Sequence, residues 1–142
     1  MTISITNTLT RTVEALALDK TQPVKLYVCG ITPYDHTHIG HGRVYVTFDL
    51  LVRLLNHDGY TVNYVRNVTD IDDKLINKAL QLGDATKFAD VAEEYYQLFA
   101  QTMHTLACLK PTSEPRVTGC IPEIITFISG LIAAGHAYQV GN

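Results

Sequence analysis

Between Val24 and Val65 the chain runs through a short apolar stretch, a polar loop, a long segment of helical periodicity, a glycine and a second apolar stretch. Val24–Cys29, VKLYVC, reads as a buried strand. Gly30 to Thr37 carries glycine, threonine, proline and aspartate, which is loop chemistry. The spacing then predicts a helix from about His38 to Asn56, with Val44, Phe48, Leu51, Val52 and Leu55 on one face. Gly59 can end it in the left-handed conformation, and Tyr60 to Val65 reads as a second strand. Strand, helix and strand in this order make a βαβ unit, with a right-handed crossover and parallel strands. The fold class expected is therefore α/β.

The flanking segments are simpler. Ile3–Thr6 and Leu9–Val13 read as two small strands or a hairpin, and Asp19–Pro23 as a polar turn. After the second strand the chain is mostly helical. Thr69-x-x-Asp72 resembles a capping box for a helix running toward Leu82. Asp84 can cap another, on which Phe88, Val91, Ala92, Tyr95, Phe99, Thr102 and Leu106 share a face. Lys110–Thr118, with Pro111 and Pro115, reads as a connection. Pro122 sits near the first turn of a last helix with an apolar stripe of Ile121, Ile124, Ile125, Ile128, Leu131 and Ile132, ended by Gly135. Ala137–Val140 reads as a new strand and Gly141-Asn142 as the start of a hairpin turn. The expectation is that these 142 residues are part of a longer protein.

Bulk properties narrow the function. A net charge of -3 gives no sign of a broad basic surface for nucleic acid. Three widely spaced cysteines, Cys29, Cys108 and Cys120, form no CxxC pair. They argue against a disulfide framework and for a reducing, cytoplasmic setting. No secretory signal is read at the N-terminus, and the apolar runs are far too short to span a bilayer.

The chemistry concentrates in YVCGITPYDHTHIGH, Tyr27 to His41. His38-Ile39-Gly40-His41 falls where the helix should begin, and there the first backbone N–H groups lack partners and the dipole is positive. Gly40 lets a base or phosphate approach the backbone. His38 and His41 share a face and can donate to phosphate oxygens. Cys29 ends a parallel strand and faces the crevice where α/β proteins bind ligands. It is either a buried cysteine or a metal ligand, and His36, His38 and His41 are the nearest candidates to complete a tetrahedral zinc site. A second constellation is Asn67-Val68-Thr69-Asp70-Ile71-Asp72-Asp73-Lys74. Thr69 could offer its hydroxyl to a small polar ligand. Asp70, Asp72 and Asp73 could bind a metal or an amine, or could simply favour the first turn of a helix.

These residues resemble the N-terminal part of the cysteinyl-tRNA synthetases, a class I aminoacyl-tRNA synthetase family. The resemblance runs from Ile5-Thr6-Asn7-Thr8-Leu9-Thr10 through YVCGITPYDHTHIGH and GYTVNYVRNVTDIDDK to Glu114-Pro115-Arg116 and AAGHAY. It implies the first half of a Rossmann-like nucleotide-binding fold with parallel strands, followed by a mostly helical segment, all in one unit spanning residues 1–142. His38, Gly40 and His41 would contact ATP, with His38 and His41 catalytic. Cys29 would be one of four zinc ligands, the others lying beyond Asn142, and the zinc would bind the thiolate of the substrate cysteine. Gly30, Thr32 and Thr69 would line the amino-acid pocket. The partners implied are cysteine, ATP with Mg²⁺, and tRNA(Cys), for a monomer whose KMSKS loop and anticodon-binding region are absent from this chain. The chain alone is expected to be inactive. Pro33 stands where many relatives carry valine, and Gly119-Cys120 where relatives often have paired histidines. TPYD also occurs in the cysteine ligase of mycothiol synthesis, which makes the same adenylate for an amino-sugar acceptor. A non-catalytic nucleotide- or metal-binding module is the third reading.

Overall fold

The computed structural model describes residues 2–141. Strands β1 (Ser4–Asn7) and β2 (Thr12–Ala15) pair antiparallel. The second strand starts later than Leu9, because Thr8–Arg11 form the turn. There the Asn7 side chain accepts from Leu9 N–H at 3.0 Å, and Arg11 takes a φ of 59°.

Strand β3 (Val24–Ile31), helix α1 (Ile39–His57) and strand β4 (Val62–Val68) form the expected unit, with β3 and β4 parallel. Gly59, at a φ of 84°, turns the chain out of α1. β4 starts after Tyr60 and Thr61 because Tyr60 N–H still closes on the carbonyl of Leu55, at 3.0 Å. The buried stripe of α1 also differs by one position from the expected one. Tyr45 is 3% exposed, whereas Val44 is 43% exposed. The tyrosine ring packs edge-on against Phe99 with centroids 5.2 Å apart, and its hydroxyl donates to the carbonyl of Cys29 at 3.2 Å. An aromatic body with a satisfied polar tip outcompetes a valine for the core.

Helices α2 (Asp73–Gln81) and α3 (Phe88–Thr105) follow, the latter entered through a 3-10 turn at Ala85–Lys87 that Asp84 caps. The capping box predicted at Thr69 does not form. Asp72 is itself the N-cap of α2 and accepts from Lys74 N–H at 2.8 Å. The core joins one face of the sheet, Val28, Ile31 and Tyr64, to Tyr45 and Val52 of α1 and to Phe99 and Met103 of α3. A second cluster places Leu75 and Ala79 of α2 on Val91 and Ala92 of α3, with Tyr34 of the β3–α1 loop against them.

The segment read as a connection carries more structure than its prolines suggest. Thr112 to Val117 runs alongside β4 as a third parallel lane, bridging Val65 to Ser113 and Val68 to Arg116. Thr112 N–H donates to Tyr64 at 2.7 Å, and Val68 N–H donates to Pro115 at 2.9 Å. Pro115 is tolerated because the ladder uses its carbonyl and needs no N–H from it.

Helix α4 (Ile121–Ala133) forms as expected, with Gly135 at a φ of 76° beyond its end. Its apolar stripe is nevertheless exposed: Ile125 is 59% and Ile128 46% accessible. The strand expected at Ala137–Val140 is absent, since no neighbouring strand among the described residues offers it a ladder. Of the Gly141-Asn142 turn, Asn142 lies outside the described residues.

Candidate functional site

Helices α1 and α3 cover one face of the β3–β4 sheet, and Tyr27 and Cys29 lie exposed on the other. The register of the pair breaks at Cys29. Val28 is paired with Arg66, but Ile31 is paired with Val68, so Cys29 and Gly30 together oppose the single residue Asn67. This is a β-bulge, which bends the strand and re-aims the side chains beyond it. Val28 and Ile31 are both buried although three positions apart, and Cys29 is left exposed between them. Simple alternation would have sent Ile31 to the open face.

Asn67 fills the bulge. Its Oδ1 accepts from Gly30 N–H at 2.8 Å and from the Tyr27 hydroxyl at 2.9 Å. Its Nδ2 donates to Thr69 Oγ1 at 3.1 Å. The backbones lie so close that a Cβ on Gly30 would fall 1.4 Å from the carbonyl oxygen of Asn67. Thr69 N–H closes on the carbonyl of Ile31 at 2.9 Å, so the ends of both strands are tied at the carboxyl edge of the sheet. Gly30, Thr32 and Thr69 are half-buried around this edge.

The loop from Thr32 to Thr37 is anchored by the buried Pro33 and leads into α1. His38 is the N-cap, and its Nδ1 accepts from Gly40 N–H at 3.1 Å. His41 reaches back, its Nδ1 accepting from His38 N–H at 3.3 Å. The two rings stack with centroids 4.0 Å apart. This is a capping box built from imidazoles instead of a serine and a glutamate. An imidazole nitrogen that accepts cannot carry a proton, so both rings hold theirs on Nε2 and keep an Nε2–H as the remaining donor. Burial, and then the proximity of His38, hold the pKa of His41 below the ordinary 6.5. No acidic side chain occupies the first turn of α1, whereas Asp73 and Asp90 occupy those of α2 and α3. The positive end of the α1 dipole is left uncompensated. A Cβ on Gly40 would meet the His38 ring at 2.9 Å, so the glycine is what lets that ring fold over the cap.

The aspartates after Thr69 are committed to structure. Asp70 is buried and takes Thr118 N–H at 3.0 Å and the Thr118 hydroxyl at 2.5 Å. Asp72 caps α2, and Asp73 sits in its first turn. Of the two readings open for these aspartates, the structural one is favoured: both oxygens of Asp70 have internal partners, and Asp72 gives Oδ1 to the cap of α2. Behind the sheet, buried Arg66 donates from Nε to Glu114 at 2.8 Å, and Glu114 also accepts from the Tyr96 hydroxyl at 2.8 Å. Arg66 lies over the rings of Tyr45 and Phe99, at 4.9 and 4.8 Å. This network joins β4, α1, α3 and the third lane, and so holds the sheet edge in place.

No group of three or more His, Cys, Asp or Glu side chains able to hold a metal occurs among the described residues. The local site of Cys29 with His36, His38 and His41 is therefore not formed. His38 and His41 cap α1, and His36 packs edge-on against Tyr95, at 5.5 Å. Cys29 fits as one soft, exposed zinc donor, and the described residues do not complete a tetrahedron around it. Asn67 stands at the head of the second constellation with no role of its own read from the sequence, and Arg66 has none either; the partners of both lie on other segments of the chain. No helix among the described residues is long and apolar enough to cross a membrane.

Comparison with known proteins agrees with this architecture. The family model of the class I (C) tRNA synthetase catalytic domain matches residues 16–142. The chain is 48% identical over its whole length to the cysteine–tRNA ligase of Geotalea uraniireducens, of which it spans 28%. It is 48% identical over 99% of its length to that of Methanococcus vannielii and 46% identical over 97% to that of Archaeoglobus fulgidus, spanning 29% of each. Among solved structures, the Agrobacterium radiobacter K84 LeuRS in its ternary complex with tRNA and LeuAMS superposes with a TM-score of 0.63 at 24% identity, over 82% of this chain and 15% of that one. Mycobacterium tuberculosis methionyl-tRNA synthetase with methionyl-adenylate gives 0.59 at 22% identity, over 67% and 18%. These likenesses are of fold alone: both structures share the parallel sheet with its crossover helix. The chain thus spans less than a third of the curated relatives it matches, and by its sequence it belongs to the class I (C) tRNA synthetase catalytic-domain family.

Proposed function

We propose that this chain is the N-terminal part of the active site of a cysteine–tRNA ligase, in which the exposed Cys29 and the imidazole pair of His38 and His41 serve the two halves of one substrate complex. The reading rests on 48% identity to cysteine–tRNA ligases across the whole chain. The single geometric observation that carries it is the pair of Nε2–H donors held at an uncompensated helix N-terminus.

In the first step the carboxylate oxygen of cysteine attacks the α-phosphorus of ATP. The bond to the bridging oxygen breaks and pyrophosphate leaves with its electron pair. Negative charge grows on the phosphate oxygens, and His38 and His41 donate to it from Nε2. Fixed donors aimed at developing charge act on the barrier more than on ground-state binding. The N–H groups of Gly40, His41 and Gly42 are already bonded to His38, so the phosphates meet the two imidazole donors and the positive end of the α1 dipole rather than free backbone amides. Mg²⁺ accompanies ATP. In the second step a terminal hydroxyl of tRNA(Cys) attacks the adenylate carbonyl and gives up its proton, and AMP leaves with the electron pair of the broken carbon–oxygen bond. Gly30, Thr32 and Thr69 border the amino acid, and Cys29 supplies one donor of a zinc site. When bound, zinc offers a soft centre that separates a thiolate from the hydroxyl of serine. With less than a third of the relatives' length present, residues 1–142 alone do not catalyse the reaction.

The test is cysteine-dependent exchange of pyrophosphate into ATP by the protein at its full natural length, followed by acceptor competition. Charging of tRNA(Cys) is expected. Transfer of cysteine to an amino sugar instead would move the assignment to the mycothiol-type ligase. Exchange driven by another amino acid, or none at all, would overturn it.

A further inference from the structure

We infer that Asn67 is a positioning residue that sets the direction of the Thr69 hydroxyl and so makes Thr69 a hydrogen-bond donor to the amino acid. The inference deepens the reading above and rests on it for the placement of Thr69 beside the substrate.

The orientation of the Asn67 amide follows from chemistry. Gly30 N–H can only donate, and it lies 2.8 Å from one of the two amide atoms, so that atom is Oδ1. The Tyr27 hydroxyl donates to the same oxygen from 2.9 Å. Nδ2 is then the atom 3.1 Å from Thr69 Oγ1. An amide nitrogen has no lone pair to give, so the hydroxyl oxygen must accept. With one lone pair used this way, the hydroxyl proton of Thr69 is free to rotate toward a ligand. Cysteine presents two acceptors to that proton, the thiolate and the carboxylate. Asn67 occupies one of the two lone pairs of Oγ1 and never takes its proton, so the balance of Thr69 shifts toward donating to the anionic ends of the amino acid.

The position of Asn67 makes the effect specific to this edge. It is the single residue opposite the bulged pair Cys29–Gly30, so the same side chain that turns Thr69 also holds the backbone from which Cys29 projects. Asn67→Asp separates the two roles. A carboxylate still accepts from Gly30 and Tyr27, preserving the bulge, but it cannot donate to Thr69. The hydroxyl then turns to donate to the carboxylate and is withdrawn from the substrate.

The experiment measures KM for cysteine and for ATP in pyrophosphate exchange by the full-length protein and its Asn67→Asp, Thr69→Val, double and Cys29→Ser variants. The prediction is a rise of about tenfold or more in KM for cysteine with Asn67→Asp, with KM for ATP within about twofold, since one misdirected polar contact discriminates on that scale. The double variant is expected to be no worse than Thr69→Val alone, because the two residues act through one contact. An unchanged KM for cysteine in Asn67→Asp, or effects that multiply in the double variant, would overturn the inference. If Asn67→Asp does not fold, the ¹⁵N resonance of the Asn67 side-chain amide in otherwise native protein decides. It should move with Thr69→Val, and its failure to move overturns the inference. Cys29→Ser separates the levels. If it too leaves KM for cysteine unchanged, the site reading itself fails. If it raises KM while Asn67→Asp does not, only the inference about Asn67 fails.

Discussion

The imidazoles of His38 and His41 stack at 4.0 Å with 30° between their planes, and each accepts at Nδ1 from a backbone N–H of the turn that opens α1. With Nδ1 accepting, each ring carries its proton on Nε2.

The first prediction concerns pH. Protonating Nδ1 of either ring breaks a cap bond, and the pKa of His41 lies below 6.5 through burial and the neighbouring His38. At pH values between that lowered pKa and 6.5, the unfolded chain holds a proton that the folded one does not. Stability associated with His41 is therefore present above pH 6.5 and lost as pH falls through the window. Long-range ¹H–¹⁵N spectra at pH 7 should show both rings protonated on Nε2 only. An Nδ1–H signal from either ring would contradict the cap.

A second prediction concerns Gly40. Its φ is ordinary, but an added Cβ would meet Cε1 of His38 at 2.9 Å and Nδ1 at 3.0 Å. Gly40→Ala should displace His38 from the cap and remove about 0.5–2 kcal/mol of stability, the usual worth of a helix N-cap. In chemical denaturation, a gain in stability from the better helix former would show that the His38 cap is not made.

The bulge gives a third prediction. Gly30→Ala forces β3 and β4 apart, because the added carbon would lie 1.4 Å from the Asn67 carbonyl oxygen. Overpacking against backbone, which cannot rotate away, costs about 3 kcal/mol or more. A denaturation midpoint within error of the unmodified protein would refute the bulge geometry.

The contrast between what could be read in the residues and what could not is physical. The βαβ unit was legible because its signals are local: β-branched runs, one long helical period and a glycine to end it. The cap at His38 was legible as a boundary. The burial of Tyr45 in place of Val44 depended on Phe99, on a helix far along the chain. The third lane at Thr112–Val117 was hidden by Pro111 and Pro115, which read as loop until β4 is seen to use only the carbonyl of Pro115. The partnership of Asp70 with Thr118 spans 48 positions and has no local signature, so the aspartates looked like possible ligands. The bulge was equally silent, since it is a property of two strands in register.

A fourth prediction follows from the charge behind the sheet. The side chain of Arg66 is 6% exposed and its partner Glu114 22%. Glu114→Ala leaves a buried guanidinium without its carboxylate, a loss of about 3–5 kcal/mol. Glu114→Gln, which keeps an acceptor, should cost less. Equal stability of the alanine variant and the unmodified protein in urea would remove this network from the account of how β4 is held.

Tyr45 offers a fifth test at the alkaline end. Burial pushes its hydroxyl up to about 12 from the ordinary 10.0, with the positive Arg66 pulling less strongly the other way. The unfolded phenol ionises first, so the associated stability is full below pH 10.0 and declines as pH rises toward 12. Tyr64 and Tyr96 shift in the same direction. Tyr45→Phe should therefore reduce the slope of stability against pH in this range without abolishing it, and an unchanged slope would contradict the burial of its hydroxyl.

The division of labour between Cys29 and His41 is tested most directly by steady-state pyrophosphate exchange on the full-length protein with Cys29→Ser and His41→Ala. Cys29→Ser should raise KM for cysteine together with a loss of bound zinc. His41→Ala should lower kcat by about 10²–10³, the worth of one donor to developing charge, with KM for cysteine little changed. The reverse pattern, with zinc and cysteine affinity untouched by Cys29→Ser or His41→Ala acting only on KM for cysteine, would contradict the proposed site.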